Sequence, residues 1–235
     1  MQPDEHARIV TAIELWFQAK ADAAERSAAS GRAQEGRRSQ VTGGLHLAGF
    51  EALLLDEIRA AGAHNPTIGR NRGATLAGFY RPSKAWDLVV LEQGSPVLAV
   101  EFKSMSGSEG NNLNNRADEM FGVAEDAKQA EAHSILPANM QRAFVFIMEA
   151  NANSLIPRRA VRAHGNPDPA FARQSYLERM ATMLSRMRET GLYHAVWALG
   201  AVREPRSFIE PMVEVGWDRF RSDLRAGFTH ADPAS

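Results

Sequence analysis

The 235-residue chain carries a formal net charge of −1 and contains no cysteine. Disulfide frameworks, thiolate zinc sites and cysteine nucleophiles are therefore excluded, and a reducing cytoplasm is the expected compartment. Hydrophobic residues make up 44% and charged residues 23%, so a core can form without metals or cross-links.

Residues 4–30 carry Ile9, Ile13, Trp16 and Phe17 at helical spacing and predict an amphipathic helix stopped at Gly31. The opening Met1-Gln2-Pro3-Asp4-Glu5-His6 lacks the basic and apolar regions of a signal peptide. No apolar run reaches a membrane-spanning length. From Gly31 to Gly44 the chain is polar, with Arg32, Arg37, Arg38 and a Gly43-Gly44 pair, and reads as a loop. Leu47–Ala61 predicts a second helix, with Phe50, Leu53, Leu54 and Ile58 inward and Gly62 as its stop.

A short strand is expected near Leu76–Tyr80. Two further strands, Trp86–Leu91 and Val97–Lys103, flank the turn signal Glu92-Gln93-Gly94-Ser95-Pro96. Ser106–Asn115 is Gly/Asn-rich and reads as a loop before a helix over Arg116–Ala132. Ala143–Met148 is a continuous apolar strand, as expected of one buried on both faces. Beyond Ala150 come a Pro/Arg-rich loop to Pro169, a helix over Ser175–Glu189, a strand over Ala195–Leu199, a helix near Val215–Leu224 and a frayed tail over Ala231–Ser235. Trp16, Trp197 and Trp217 fall in apolar periodic stretches and belong to the core or an interface.

The hairpin concentrates the chemistry. Counted from the turn, Asp87 and Glu101 are nearly equidistant, so they should face each other across the strands with Cβ atoms about 5 Å apart. Alternation puts Glu101 and Lys103 on one face and Phe102 on the other. Two carboxylates and an ammonium then meet at a strand end. Hard oxygen ligands of this kind hold Mg²⁺, which can activate water against a phosphodiester. The competing reading of the same trio is a surface cross-strand salt bridge. Charges that terminate such hydrophobic strands tend either to line a site or to pair tightly.

The trio resembles the Asp…Glu-x-Lys pattern of the PD-(D/E)xK nucleases. The predicted order α-β-β-β-α-β around the hairpin is the order which that fold requires. More specific are Phe79-Tyr80-Arg81-Pro82-Ser83-Lys84-Ala85-Trp86-Asp87, Glu101-Phe102-Lys103-Ser104 and Gly110-Asn111-Asn112-Leu113-Asn114-Asn115-Arg116. With Val41-Thr42-Gly43-Gly44 and Ser175-Tyr176-Leu177-Glu178-Arg179, these segments resemble the XhoI family of type II restriction endonucleases over most of residues 30–190. The last 35 residues depart from it.

The resemblance implies an α/β fold of the mixed α+β kind, a restriction-endonuclease-like central mixed β-sheet flanked by helices. It implies a homodimer that cuts both strands of a palindromic hexanucleotide in double-stranded DNA with Mg²⁺. In the family that site is CTCGAG, cut to leave 5′ overhangs. Asp87 and Glu101 would bind metal, with the Phe102 carbonyl as a further ligand, and Lys103 would position or deprotonate the attacking water. Relatives of this fold place an extra acid on the preceding helix, for which Glu51, Asp56 and Glu57 are the candidates. A catalytic core over about residues 47–150 would carry elaborations at 1–46 and 151–235 for DNA binding and dimerisation, within a single domain.

Base reading needs forked donors and amides: Arg suits guanine and Asn suits adenine. Asn111, Asn112, Asn114, Asn115 and Arg116 are the candidate readers, and a turn followed by a helix start is the alternative for the same block. Between Ala60 and Trp86 there is no acidic residue, and Arg70, Arg72, Arg81 and Lys84 there are candidate phosphate contacts. A second basic stretch holds Arg158, Arg159, Arg162, His164 and Arg173 against Asp168 alone. The seven histidines lack metal-ligand spacing, and no phosphate-cradling glycine motif appears, so neither zinc nor a nucleotide cofactor is expected. Two other readings remain: a structure-specific repair or recombination nuclease of the same fold, and a non-catalytic DNA-binding module.

Overall fold

The computed structural model describes residues 1–29, 45–63, 66–159 and 164–229. Gly31, the 31–44 segment with its arginines and glycine pair, Arg162 and the 231–235 tail lie outside the described residues.

Helix α1 spans Pro3–Ala29, with Asp4 and Glu5 in its first turn, where the helix dipole favours negative charge. Its stripe of Ile9, Ala12, Ile13, Trp16 and Phe17 is buried. A single 3-10 turn, Leu45–Leu47, leads into α2, Ala48–Ala60, and Gly62 takes φ +89° just after it. Strands β1, Thr67–Gly69, β2, Thr75–Ala77, and β3, Ser83–Ala85, are three residues each. The hairpin follows as β4, Leu88–Glu92, and β5, Ser95–Met105. Its connection is the two-residue turn Gln93-Gly94 with both φ values positive, the geometry that matches strand twist. Helix α3 spans Glu109–Ala132, β6 Gln141–Glu149, α4 Ala152–Leu155, α5 Tyr176–Glu189, β7 Ala195–Val202, β8 Ser207–Ile209 and α6 Trp217–Thr229.

Six strands form one mixed sheet in the order β1-β4-β5-β6-β7-β8. β5, β6 and β7 run parallel to their neighbours in that group, and the remaining pairings are antiparallel. Helices cover both faces. On one face Leu88, Val90, Leu98, Val100, Phe102, Val145 and Trp197 pack with the apolar stripes of α1, α2 and α6. On the other, Val89, Ala99, Phe144, Phe146 and Val196 pack with α3 and α5. Phe144 to Met148 are all buried, as expected of a strand with a parallel neighbour on each side. The mixed sheet between helical layers matches the expected fold class, and the order α2-β1-β4-β5-α3-β6 preserves αβββαβ.

Two expectations need correction. The first strand of the main sheet is Thr67–Gly69, paired with Val89–Leu91, and not the segment near Leu76–Tyr80. Residues 75–77 instead pair with 83–85 in a separate two-stranded ribbon. Three residues are too few to show alternation, so the sequence favoured the longer apolar run. The second correction concerns 106–115, expected as a loop. Helix α3 already begins at Glu109 and carries the whole asparagine block. Glycine and asparagine are weak helix formers, but packing overrides that preference here. Leu113 is buried, and Gly110 sits where a Cβ would come to 2.5 Å from the Tyr176 hydroxyl oxygen, so a larger residue there would make the Tyr176 side chain shift.

Trp16, Trp197 and Trp217 are all buried. The Trp197 ring lies 4.8 Å from Trp217 and 5.8 Å from Phe50, joining β7, α6 and α2. Trp197→Ala should cost about 3–5 kcal/mol of unfolding free energy, measured by guanidinium denaturation. A loss below about 1 kcal/mol would mean that this aromatic cluster does not hold the layer together.

Candidate active site

The Leu88↔Val100 pairing places Asp87 and Glu101 one step further along the same ladder. The Asp87 N–H donates to the Val100 carbonyl at 3.2 Å, which continues that ladder past the strand's formal start. The Asp87 side chain in turn accepts the Phe102 N–H on Oδ2 at 2.7 Å. Asp87 is thus fixed by backbone on both sides, with one carboxylate oxygen on the Phe102 N–H.

Glu101 is only 3% exposed. Its Oε1 accepts from Lys103 Nζ at 2.6 Å and its Oε2 from Lys84 Nζ at 3.1 Å. A buried carboxylate is costly unless paired, and two ammoniums meet that need. The expected split of faces holds, because Phe102 packs with the α2 layer while Glu101 and Lys103 point to the other side. The protein packed around Asp87, and then the negative charge of Glu101, push its carboxyl above the usual carboxylate range. The Phe102 N–H and the two lysines oppose that shift.

A model of the XhoI restriction endonuclease family matches residues 26–207. The chain belongs to that family. Membership makes it a deoxyribonuclease of the restriction class acting on double-stranded DNA. Type II restriction enzyme XhoI of Xanthomonas vasicola is 34% identical over 193 residues, which is 78% of this chain and 73% of that protein. Type II restriction enzyme BstVI of Geobacillus stearothermophilus is 33% identical over 162 residues, 64% of this chain and 70% of its own. Type II restriction enzyme AbrI of Azospirillum brasilense is 44% identical over 99 residues, 41% of this chain and 44% of its own. No solved structure matches the chain significantly.

The three acids of α2 are placed differently. Glu51 lines a cleft of about 500 Å³ together with Arg70, Trp86, Asp87 and Phe102, and is ion-paired with Arg70. Asp56 faces away, held by Arg8 and by Arg59. Glu57 is buried against Arg225 of α6. Among the described residues no cluster of three or more acidic, histidine or cysteine side chains forms a ready-made metal cage. Asp87 and Glu101 still suit Mg²⁺, which is commonly held by one or two carboxylates with substrate phosphate completing its shell.

The candidate DNA-contacting residues are spread out. Asn114 and Asn115 are exposed on α3, Asn112 is half-buried, and Arg116 pairs with Glu119 at 2.6 Å. Asn111 lies in the same helix. Arg72 is exposed and has no ion pair among the described residues, whereas Arg70 is paired with Glu51. Arg81 binds Asp126 at 3.1 Å and the Gly122 carbonyl. In the second basic stretch, Arg158 bonds Asn153 and lies 4.5 Å over the Tyr176 ring.

Sequence reasoning missed three members of this region. Lys84, expected as a phosphate contact, also donates to Glu101 from β3, three residues ahead of Asp87. Buried Asp126 accepts the Phe79 and Tyr80 N–H groups and so fixes the ribbon tip against α3. Buried Glu109 accepts from Gly107 N–H and from the Asn151 and Asn153 amides, tying the start of α3 to α4. Burial would raise the Glu109 carboxyl, but the Asn151, Asn153 and backbone donors hold it below the usual range. Neither acid carried a sequence signal of its own, since Glu109 sits in a Gly/Asn-rich stretch and Asp126 lies between Glu125 and Lys128.

A raised carboxyl pKa means that folding favours the protonated form, so Asp87 lowers stability above that pKa and the effect fades as pH falls toward the unfolded value. In EDTA, Asp87→Asn should therefore raise the melting temperature at pH 7, by a few degrees at most given solvent access. The gain should vanish near pH 4. A gain independent of pH would place its origin elsewhere.

Proposed function

We propose that the protein is a Mg²⁺-dependent type II restriction endonuclease that cuts both strands of a palindromic hexanucleotide as a homodimer. The family's site, CTCGAG cut to leave 5′ overhangs, is the expected target. The observation that carries the reading is the meeting of Asp87, just ahead of β4, with Glu101 and Lys103 inside β5 of this mixed sheet.

A divalent cation held by Asp87 and Glu101, with the Phe102 carbonyl as a further ligand, would supply an activated water and offset charge gathering on the phosphate. The protein's own groups do the positioning. Asp87 is aligned by the Phe102 N–H, which occupies one of its two oxygens. Lys103, two residues from Glu101 on the same face, carries the positive charge beside the attacking water and orients it. Glu51, which lines the same cleft as Asp87, is the helix acid assigned as the additional carboxylate. Asn111, Asn112, Asn114, Asn115 and Arg116 would present amides and a guanidinium to base edges from the first turns of α3, a helix start rather than the loop first expected. Arg70, Arg72 and Arg81 would contact phosphates, with Arg70 and Arg81 exchanging a carboxylate partner for DNA. A palindromic target calls for a two-fold dimer, so that each copy cuts one strand.

Digestion of unmethylated phage DNA, with Mg²⁺ or with EDTA, followed by end sequencing, tests the whole reading. Discrete fragments ending at CTCGAG only with Mg²⁺ are expected. A smear, or no cutting with Mg²⁺, would contradict it. Asp87→Ala and Glu101→Ala should abolish metal-dependent cutting. Lys103→Ala should slow it by about a hundredfold or more while leaving DNA binding within a few-fold. Retained cutting by Lys103→Ala would remove Lys103 from the water-positioning role.

A further inference from the structure

We propose that Lys84 is the internal counter-ion of Glu101 and that a divalent cation must displace it to load the site. This rests on the reading of Glu101 as a metal ligand.

Both Glu101 oxygens are taken by ammoniums, Oε1 by Lys103 and Oε2 by Lys84. A cation that takes Oε2 would share that atom with a positive charge 3.1 Å away. Like charges at such separation repel strongly, more so where protein replaces water. One lysine has to yield.

Lys103 is poorly placed to leave. It sits on β5, two residues from Glu101 and on the same face, and its backbone pairs with Phe146 of β6 in the middle of the sheet. Lys84 belongs to the separate β2–β3 ribbon. It also has other contacts at hand: it donates to the Ala85 carbonyl, and its Nζ lies 5.7 Å from the Trp86 ring centroid. Releasing Glu101 would therefore not leave a buried ammonium without a partner. The two lysine side chains are about equally exposed, 22% and 23%, so these contacts and not water access set Lys84 apart.

The arrangement has a consequence for loading. Without a cation, Lys84 and Lys103 together neutralise a carboxylate that is almost wholly buried, and the site stays assembled. The same contact makes the empty site a weak cation binder. A DNA phosphate at the cleft would favour the exchange, because it offers the displaced ammonium a new anion. Metal loading and DNA binding are thereby coupled through one side chain.

Isothermal titration of the full-length protein with Ca²⁺ alone tests this, using Lys84→Met, Lys84→Gln and Glu101→Gln. Both Lys84 variants should bind Ca²⁺ about tenfold more tightly than the unaltered protein. Their melting temperatures in EDTA should fall, and Ca²⁺ should raise them by more than it raises that of the unaltered protein. This melting comparison also decides the matter if the unaltered protein binds too weakly for calorimetry. Ca²⁺ binding that is unchanged or weaker in both Lys84 variants, while Glu101→Gln abolishes it, would overturn the counter-ion role and leave the metal role standing. Ca²⁺ binding unaffected by Glu101→Gln would overturn the metal role itself, and the counter-ion role with it.

Discussion

Strand β5 carries two demands at once. Its first half, through Val100, must be apolar because it lies between β4 and β6 with helices on both faces. Its second half places a carboxylate at Glu101 while the chain is still inside that sheet. A lone buried carboxylate would cost several kcal/mol, so the surroundings must supply compensating charge. Much of the local architecture follows from that need. Lys103 comes from the same strand, Lys84 from β3 just ahead of Asp87, and Asp87 is pinned by the β5 backbone.

The elements legible in the sequence are those whose signal is local. The helical stripes of α1, α2 and α5, the Gln93-Gly94 turn and the apolar run of β6 all record their environment in the spacing of their own residues. The Ser175–Glu178 capping box that opens α5 is another such signal. What was not legible depends on distant partners. Thr67-Ile68-Gly69 is a strand only because β4 offers it an open edge. Gly110 and the asparagines lie in a helix whose start meets Tyr176 of α5 and is tied to α4 through Glu109.

The same division runs through the site. Asp87, Glu101 and Lys103 could be brought together by counting from the turn, since the hairpin is short and nearly regular. The bulge between Val90 and Leu91 shifts the register by one residue, so Asp87 falls opposite Glu101 rather than opposite Val100, where an unbroken count from the turn would put it. Lys84 could not be assigned by counting, because its position depends on the ribbon's docking rather than on sheet alternation. Nor could counting tell that Glu51, and not Asp56 or Glu57, lines the cleft with Asp87. That choice turns on which face of α2 meets the cleft and which meets α1 and α6. A salt bridge and a metal site are not exclusive here: the ion pairs of Glu101 keep in place the carboxylate that a cation would use.

The account turns on Asp87 and Glu101 sharing one divalent cation. The most direct measurement is anomalous diffraction from crystals of the protein with DNA and Mn²⁺. The account predicts an anomalous peak within bonding distance of both an Asp87 and a Glu101 carboxylate oxygen. A fully occupied peak elsewhere, with Glu101 still held by both lysines, would contradict it.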